Sequence, residues 1–260
     1  MAMIKESIYY HRSYRKESIS RNSALIELVV LLLPVVAVFF MYPYITYYMG
    51  KITRFVLYRY FSAASTVQVI KSHFVFFDLY IVHMAAFYHT PMFYFVFFIV
   101  SFALLIMSLI IILNKASPIM LYVFYILSIN AISATFFALV PLDFPYDINL
   151  FSDLYIKTEV AIWLVIPFVL AIALVPLRSN LFLKLLVTIA TLLYSIAFSL
   201  VRYILFLYVL ERFSYVFMAS LFFAFGPLID FIYIVGIYSY YLSAVSRKNI
   251  NSDGKGQWLF

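Results

Sequence analysis

Long apolar runs separated by short polar stretches dominate the chain. A run of about 20 apolar residues is long enough to cross the hydrocarbon core of a bilayer as a helix. Six runs of about this length predict six transmembrane helices: Ala24–Met49, Pro91–Leu113, Pro118–Val140, Val160–Leu177, Leu185–Tyr203 and Pro227–Ser243. The sequence therefore predicts an all-α, polytopic membrane protein, with one helical membrane domain at 24–246, a cytoplasmic leader at 1–23 and a cytoplasmic tail at 247–260.

The segment 50–90 interrupts this pattern. Its first part, to residue 73, mixes basic and aromatic residues, as in a helix that lies on the membrane surface. Its second part, Phe74–His89, is apolar but short and contains Asp78, His83 and His89. We expect an interfacial or re-entrant helical segment here; a seventh span at 74–90 is the alternative.

Composition supports a membrane protein. Hydrophobic residues make up 67% of the chain, whereas soluble domains are about half apolar. Aromatic residues reach 21%, more than the belts at the membrane–water boundary require. Five glycines are few for six spans, which favours helix contacts filled by aromatic side chains over close glycine crossings.

The distribution of basic residues predicts the orientation. The net charge of +7 comes from residues at loop ends, so it indicates a lipid bilayer as partner and no nucleic acid. Six spans with the N-terminus inside place Lys115, Arg178, Lys184 and Arg247 inside, and the acidic loop around Asp147 outside. Both termini are then cytoplasmic or on the matrix-equivalent side. A seventh span would invert everything that follows it.

Few residues offer recognisable chemistry. The chain has no cysteine, which excludes disulfides, thiolate metal sites and a cysteine nucleophile. Asp78, His83 and His89 are five and six residues apart, not at the spacing of three or four that a helical metal site uses. The sequence predicts no metal and no cofactor; these three residues remain a candidate polar path for protons.

Arg202 interrupts an apolar run in the fifth predicted span. It lies 18 residues, roughly 27 Å of helix, after Lys184. In the next span, Asp230 lies 17 residues, roughly 26 Å, before Arg247. The two opposite charges therefore have similar depths near the outer surface. Because a charge in lipid requires a partner or a wet cavity, we predict an intramembrane Arg202–Asp230 pair, functional or purely structural.

Three consecutive polar residues precede the fourth predicted span. Lys157, Thr158 and Glu159 come directly before Val160. They are expected at the outer mouth of that span.

Residues 155–245 resemble the core of the exosortase/archaeosortase family of membrane transpeptidases. The likeness rests on an inner basic turn, PLRSNLFLK, an arginine motif, SLVRY, and the last opening, FFAFGPLID. The family's cysteine position falls near Thr158 or Glu159 and its histidine position near Ala224. The resemblance thus implies that Arg202 carries over, whereas transpeptidase activity does not, since a thioacyl mechanism requires a thiolate.

The chain is also similar to the proton-channel a subunit of rotary ATP synthases. The similarity lies in its length, in the surface segment after the first span and in an arginine on the penultimate helix, here Arg202. That family's glutamine in the last helix has no counterpart, because the only glutamines are Gln68 and Gln257.

Three functions are compatible with these patterns. The leading expectation is a non-catalytic, multi-span subunit of a larger membrane complex, respiratory or secretory, with other membrane subunits as partners. The second is an exosortase-like protein without transpeptidase activity. The third is an ion- or proton-conducting subunit that uses Arg202 and Asp230.

Overall fold

The computed structural model describes residues 21–60, 67–85, 90–114, 117–140, 146–177 and 179–252. The side chains at 21–23 and 246–252 are outside this description. Residues 1–20 of the predicted leader (1–23) and residues 253–260 of the predicted tail also lie outside the described residues, as does His89.

Helices form nearly all of the described chain. Their bounds are α1 Arg21–Tyr60, α2 Pro91–Asn114, α3 Pro118–Leu139, α4 Ile148–Leu174, α5 Leu181–Arg212, a 3₁₀ turn Tyr215–Phe217, α6 Met218–Phe223 and α7 Pro227–Ser252. Six helical segments among the described residues are long and apolar enough to cross a membrane. The predicted polytopic helical fold with six spans is therefore confirmed.

Several helices are longer than their apolar runs. α1 has 40 residues, roughly 60 Å, about twice the thickness of a bilayer's hydrocarbon core. α4 begins at Ile148, 12 residues before the predicted start at Val160. Hydropathy indicates which part of a helix suits lipid, whereas caps and side-chain pairs decide where the helix begins. At α4, Asp147 accepts a hydrogen bond of 2.7 Å from the Leu150 amide and so caps the first turn.

The prediction of a helical segment at 50–90 is wrong in detail. Residues 51–60 continue α1, and two antiparallel strands follow, β1 Gln68–Phe74 and β2 Phe77–His83. Phe74 pairs with Phe77, so Val75 and Phe76 form a two-residue turn, in which Val75 has a φ of 58°. The strands are rich in β-branched and aromatic residues and too short for a spanning helix, which favours a hairpin.

The outer edge of β2 is closed by side chains. Val82 and Met84 are buried by the surrounding protein, so amides on this strand edge have no water to bond with and need other acceptors. Three β2-side amides donate to side chains on three helices: Tyr80 to Thr46 Oγ1 (3.2 Å), Val82 to the Tyr203 hydroxyl (2.9 Å) and Met84 to Asn149 Oδ1 (3.0 Å). The hairpin is therefore fixed among α1, α4 and α5.

The described residues form two compact units. The first contains the described parts of Met1–Phe40, Trp163–Ser195 and Phe231–Phe260, and the second those of Met41–Ile162 and Ile196–Asp230. The second unit contains the hairpin, the packed pair α2 and α3, and Arg202.

Candidate functional site

Arg202 lies at the centre of a buried ionic cluster in the second unit. Its Nη2 donates to Glu159 Oε1 at 2.8 Å and to Asp230 Oδ1 at 2.7 Å. The side chains of Arg202, Glu159 and Asp230 are 5%, 1% and 2% exposed. The structure thus brings Arg202 and Asp230 together and adds Glu159, from α4, as a third member.

The other terminal nitrogen of Arg202 binds the break between α6 and α7. Nη1 donates to the carbonyl oxygens of Phe225 and Gly226, each at 2.9 Å. Gly226 is required by this geometry, since a Cβ there would lie 2.3 Å from the carbonyl oxygen of Phe222. The guanidinium also lies over the ring of Phe198, 5.0 Å from its centroid. The side chains of Arg202, Glu159 and Asp230, together with the carbonyls of Phe225 and Gly226, are called the Arg202 cluster.

The cluster contains two carboxyl groups and one guanidinium. Two carboxylates share one guanidinium, so the three side chains carry a net charge of −1 when all are ionised. In a buried site, charge of either sign is expensive unless it is paired and hydrogen-bonded. Loss of Arg202 would therefore leave two carboxylates without their cation.

Two stacked tyrosines connect the cluster to the hairpin. The rings of Tyr155 and Tyr203 are 5.5 Å apart at their centroids and 1° from parallel. Tyr155, one turn before Glu159 on α4, donates to the carbonyl oxygen of Ser199 at 3.2 Å. The Tyr203 hydroxyl hydrogen-bonds to Ser152 and accepts from the Val82 amide. The contacts of these two tyrosines therefore link the surroundings of Arg202 to β2.

The three predicted outer-mouth residues have different surroundings. Lys157 pairs with Asp153 at 2.7 Å, and the exposed Thr158 hydroxyl donates to its own helix at Leu154. Glu159 is the only one of the three in the Arg202 cluster. All three lie inside α4, because the helix begins at Ile148 and not at Val160 as expected.

The structure does not bring together Asp78 and His83, two residues of the candidate polar path. Asp78 lies beside the hairpin turn, 3.5 Å from His73, and both are exposed. His83 lies at the other end of β2, five residues or roughly 17 Å away, where it lines a cleft of about 250 Å³ with Gln68, Met84 and Asn149. His89 is outside the described residues.

A second ion pair, formed by a buried lysine and a partly exposed glutamate, lies in the first unit. Lys184 is 1% exposed and donates to Glu27 at 2.6 Å and to the Val175 carbonyl at 3.3 Å. The sequence predicts Lys184 only as a basic residue of an inner turn. Nothing in the local pattern indicated its partner, since 157 residues separate the two.

Among the described residues, no group of three or more acidic or histidine side chains is arranged to hold a metal ion. Comparisons with models of protein families, with curated proteins and with solved structures find no match to this chain.

Proposed function

We propose that the chain is a non-catalytic, multi-span subunit of a larger membrane protein complex, and that the Arg202 cluster holds its helices together. The observation that carries this proposal is the set of hydrogen bonds that the Arg202 guanidinium donates. Arg202 donates four hydrogen bonds, and all four go to α4, α7 and the α6–α7 break of the same chain. A side chain engaged in this way stabilises the fold and is not directed at a substrate.

Exposed aromatic side chains on α1 suit partner helices. Tyr44, Tyr48, Phe55 and Tyr58 recur at helical spacing and are 61–74% exposed. Tyrosine and phenylalanine are enriched in protein interfaces because their rings supply large contact areas at low entropic cost. This face is the surface on which we place the partner subunit, in a respiratory or secretory assembly.

An even number of spans supports the proposed orientation. If all six long helices cross the bilayer, both ends of the chain lie on one side of it. Because the basic residues outside the spans concentrate on that side, we place both termini on the cytoplasmic or matrix-equivalent side of the membrane.

The proposal is tested by isolating the native protein with its companions. A C-terminally tagged chain, expressed from its own promoter, is extracted in mild detergent and its co-purifying proteins are identified. We expect a stoichiometric complex much larger than the 30.4 kDa chain. Arg202→Gln should lower the yield of this complex, whereas Arg54→Gln, at an exposed position, should not. A monodisperse monomer without companions would contradict the proposal.

One observation favours the exosortase-like alternative. The family's cysteine position near Glu159, its arginine at Arg202 and the turn after Ala224 converge in the Arg202 cluster. In this alternative, Arg202 and Asp230 bind the C-terminus of a peptide without cleaving it. Binding of a short peptide acid to the purified protein, weakened by peptide amidation and by Arg202→Gln, would favour this alternative over the subunit.

The unequal charge of the cluster favours a third candidate, conduction of protons or cations. Two buried carboxylates beside one guanidinium provide an acceptor for one further positive charge. Proteoliposomes with an internal pH-sensitive dye test this candidate. Conduction predicts a flux that Arg202→Gln abolishes while assembly stays intact; the structural role predicts no flux and reduced assembly.

A further inference from the structure

The turn of the β-hairpin is an exposed apolar tip. Phe74, Val75, Phe76 and Phe77 form four consecutive apolar positions, with the turn at the middle pair. Val75 is 56% exposed and Phe76 is 74% exposed. We call residues 74–77 the hairpin tip.

Contacts with α1 fix the direction in which the tip points. The Tyr42 hydroxyl donates to the Phe74 carbonyl at 2.7 Å and accepts from the Phe77 amide at 3.0 Å. Two turns further along α1, Gly50 lies against Val69, near the open end of the hairpin. The hairpin therefore runs along the part of α1 that belongs to the second unit, with its tip at Tyr42 and its open end near Gly50.

The position of Tyr42 on α1 gives the depth of the tip. The 18 residues from Ala24 to Met41 contain one charged side chain, Glu27, and extend roughly 27 Å as a helix. This length nearly fills the hydrocarbon core, so Tyr42 lies at its boundary. Tyrosine is also the residue typical of that level. Because Tyr42 binds both ends of the turn, the hairpin tip lies at the same boundary.

Polar side chains begin directly behind the tip. His73 and Asp78 face each other across the strands at 3.5 Å and are 72% and 52% exposed. Two residues further from the turn, the Lys71 ammonium lies over the Tyr80 ring, 5.8 Å from its centroid. An apolar end followed at once by charged groups matches the change from hydrocarbon to headgroups across a membrane surface.

We propose that the hairpin tip inserts into the membrane–water boundary and that its partner is the lipid bilayer. Val75 and Phe76 contact the acyl chains, whereas His73 and Asp78 remain at the level of the headgroups. The hairpin thereby anchors the second half of α1 to the membrane surface through Tyr42. This role is independent of whether the chain assembles with other subunits.

The cysteine-free sequence allows the insertion to be measured directly. A spin label is attached to Phe76→Cys in liposomes of phosphatidylcholine with some phosphatidylglycerol, and its collisions with oxygen and with a water-soluble nickel chelate are compared. Ile106→Cys, on the exposed face of α2, serves as the lipid reference. Arg54→Cys, 12 residues or roughly 18 Å beyond Tyr42 on α1, serves as the aqueous reference.

We expect the label at position 76 to behave like the label at position 106. Its collision rate with the nickel chelate should be at least threefold lower than that of the label at position 54, and its collision rate with oxygen should be as high as at position 106. A nickel collision rate equal to that at 54 would overturn the proposal, because the tip would then be in water. Low collision rates with both reagents would also overturn it, because protein would then cover the tip. Each labelled variant is compared with the unlabelled chain by circular dichroism, and Phe76 tolerates replacement since most of its side chain is exposed.

Discussion

Asp230 accepts a hydrogen bond of 2.7 Å from Arg202, although 28 residues separate the two in the sequence. The contact joins the first turn of α7 to the middle of α5, and Glu159 joins α4 to the same guanidinium. One side chain thus connects three long helices in a region where water cannot compete for its hydrogen bonds. The stability of this region should depend strongly on Arg202.

We expect Arg202→Gln to lower the free energy of unfolding by about 3–5 kcal/mol, because it removes the cation from two buried carboxylates. Arg202→Lys should recover only part of this loss. The lysine ammonium keeps the charge but lacks the planar fork that reaches two carboxylates and two carbonyls together. Unfolding in detergent with increasing dodecyl sulfate gives the comparison. Equal stability of Arg202→Gln and the unaltered chain would show that the cluster does not stabilise the fold.

Glu159→Gln should be much milder, changing the free energy of unfolding by less than about 1 kcal/mol. The amide keeps an oxygen that can accept from Arg202 Nη2, so the contact between α4 and the guanidinium is kept. In an Arg202→Gln background, the same substitution should raise stability, because one fewer carboxylate lacks its cation. The four proteins form a double-mutant cycle in the same unfolding assay. Additive effects would indicate that Glu159 and Arg202 are not coupled.

Gly226→Ala should destabilise the second unit by about 1–3 kcal/mol. The added Cβ would lie 2.3 Å from the Phe222 carbonyl, so the break between α6 and α7 must shift and move the two carbonyls that bind Arg202. Gly236→Ala on α7 is the matched control, since nothing lies within 4 Å of its added Cβ. The control should keep its stability or gain up to about 1 kcal/mol. Thermal melting in detergent distinguishes the two variants; equal melting temperatures would argue against a steric role for Gly226.

Tyr203→Phe should loosen the hairpin. The substitution leaves the Val82 amide without its acceptor, which costs about 1–3 kcal/mol for a buried backbone group. Hydrogen exchange of a peptide covering β2 should become faster. Tyr155→Phe keeps the stacked ring and loses hydrogen bonds to Ser199 and Glu159, neither of which is in the hairpin, so β2 should exchange at its original rate. Equally fast exchange in both variants would mean that the Tyr203–Val82 hydrogen bond is not what holds the hairpin.

The spans and the Arg202–Asp230 contact can be predicted from the order and spacing of residues along the chain. Apolar run length determines which segments suit a bilayer, and counting residues from a basic residue near the end of a span gives the depth of another charge on the same helix. Arg202 and Asp230 could be matched because each has a basic reference residue, Lys184 or Arg247, at the opposite end of its span. The depth of a buried charge is therefore readable wherever a helix is regular.

The hairpin and the partner of Lys184 could not be found in this way. Phe77–His83 is apolar and short, and its strand conformation depends on acceptors supplied by distant helices, such as Tyr203. Glu159 was expected at a loop boundary because hydropathy does not show that α4 begins at Ile148. The pairing of Lys184 with Glu27 depends on which helices are neighbours, and this packing leaves no periodic trace in the sequence.

The outer edge of β2 has a consequence for how the protein is made. Thr46 precedes the strand in the chain, whereas Asn149 follows Met84 by 65 residues and Tyr203 follows Val82 by 121. At ribosomal rates of roughly 5–20 residues per second, Tyr203 is synthesised about 6–24 seconds after Val82. During that interval the Val82 amide lacks the acceptor that the folded protein gives it, so we expect it to bond to water until α5 is present. The two strands are therefore among the last elements to settle, although they are synthesised near the beginning.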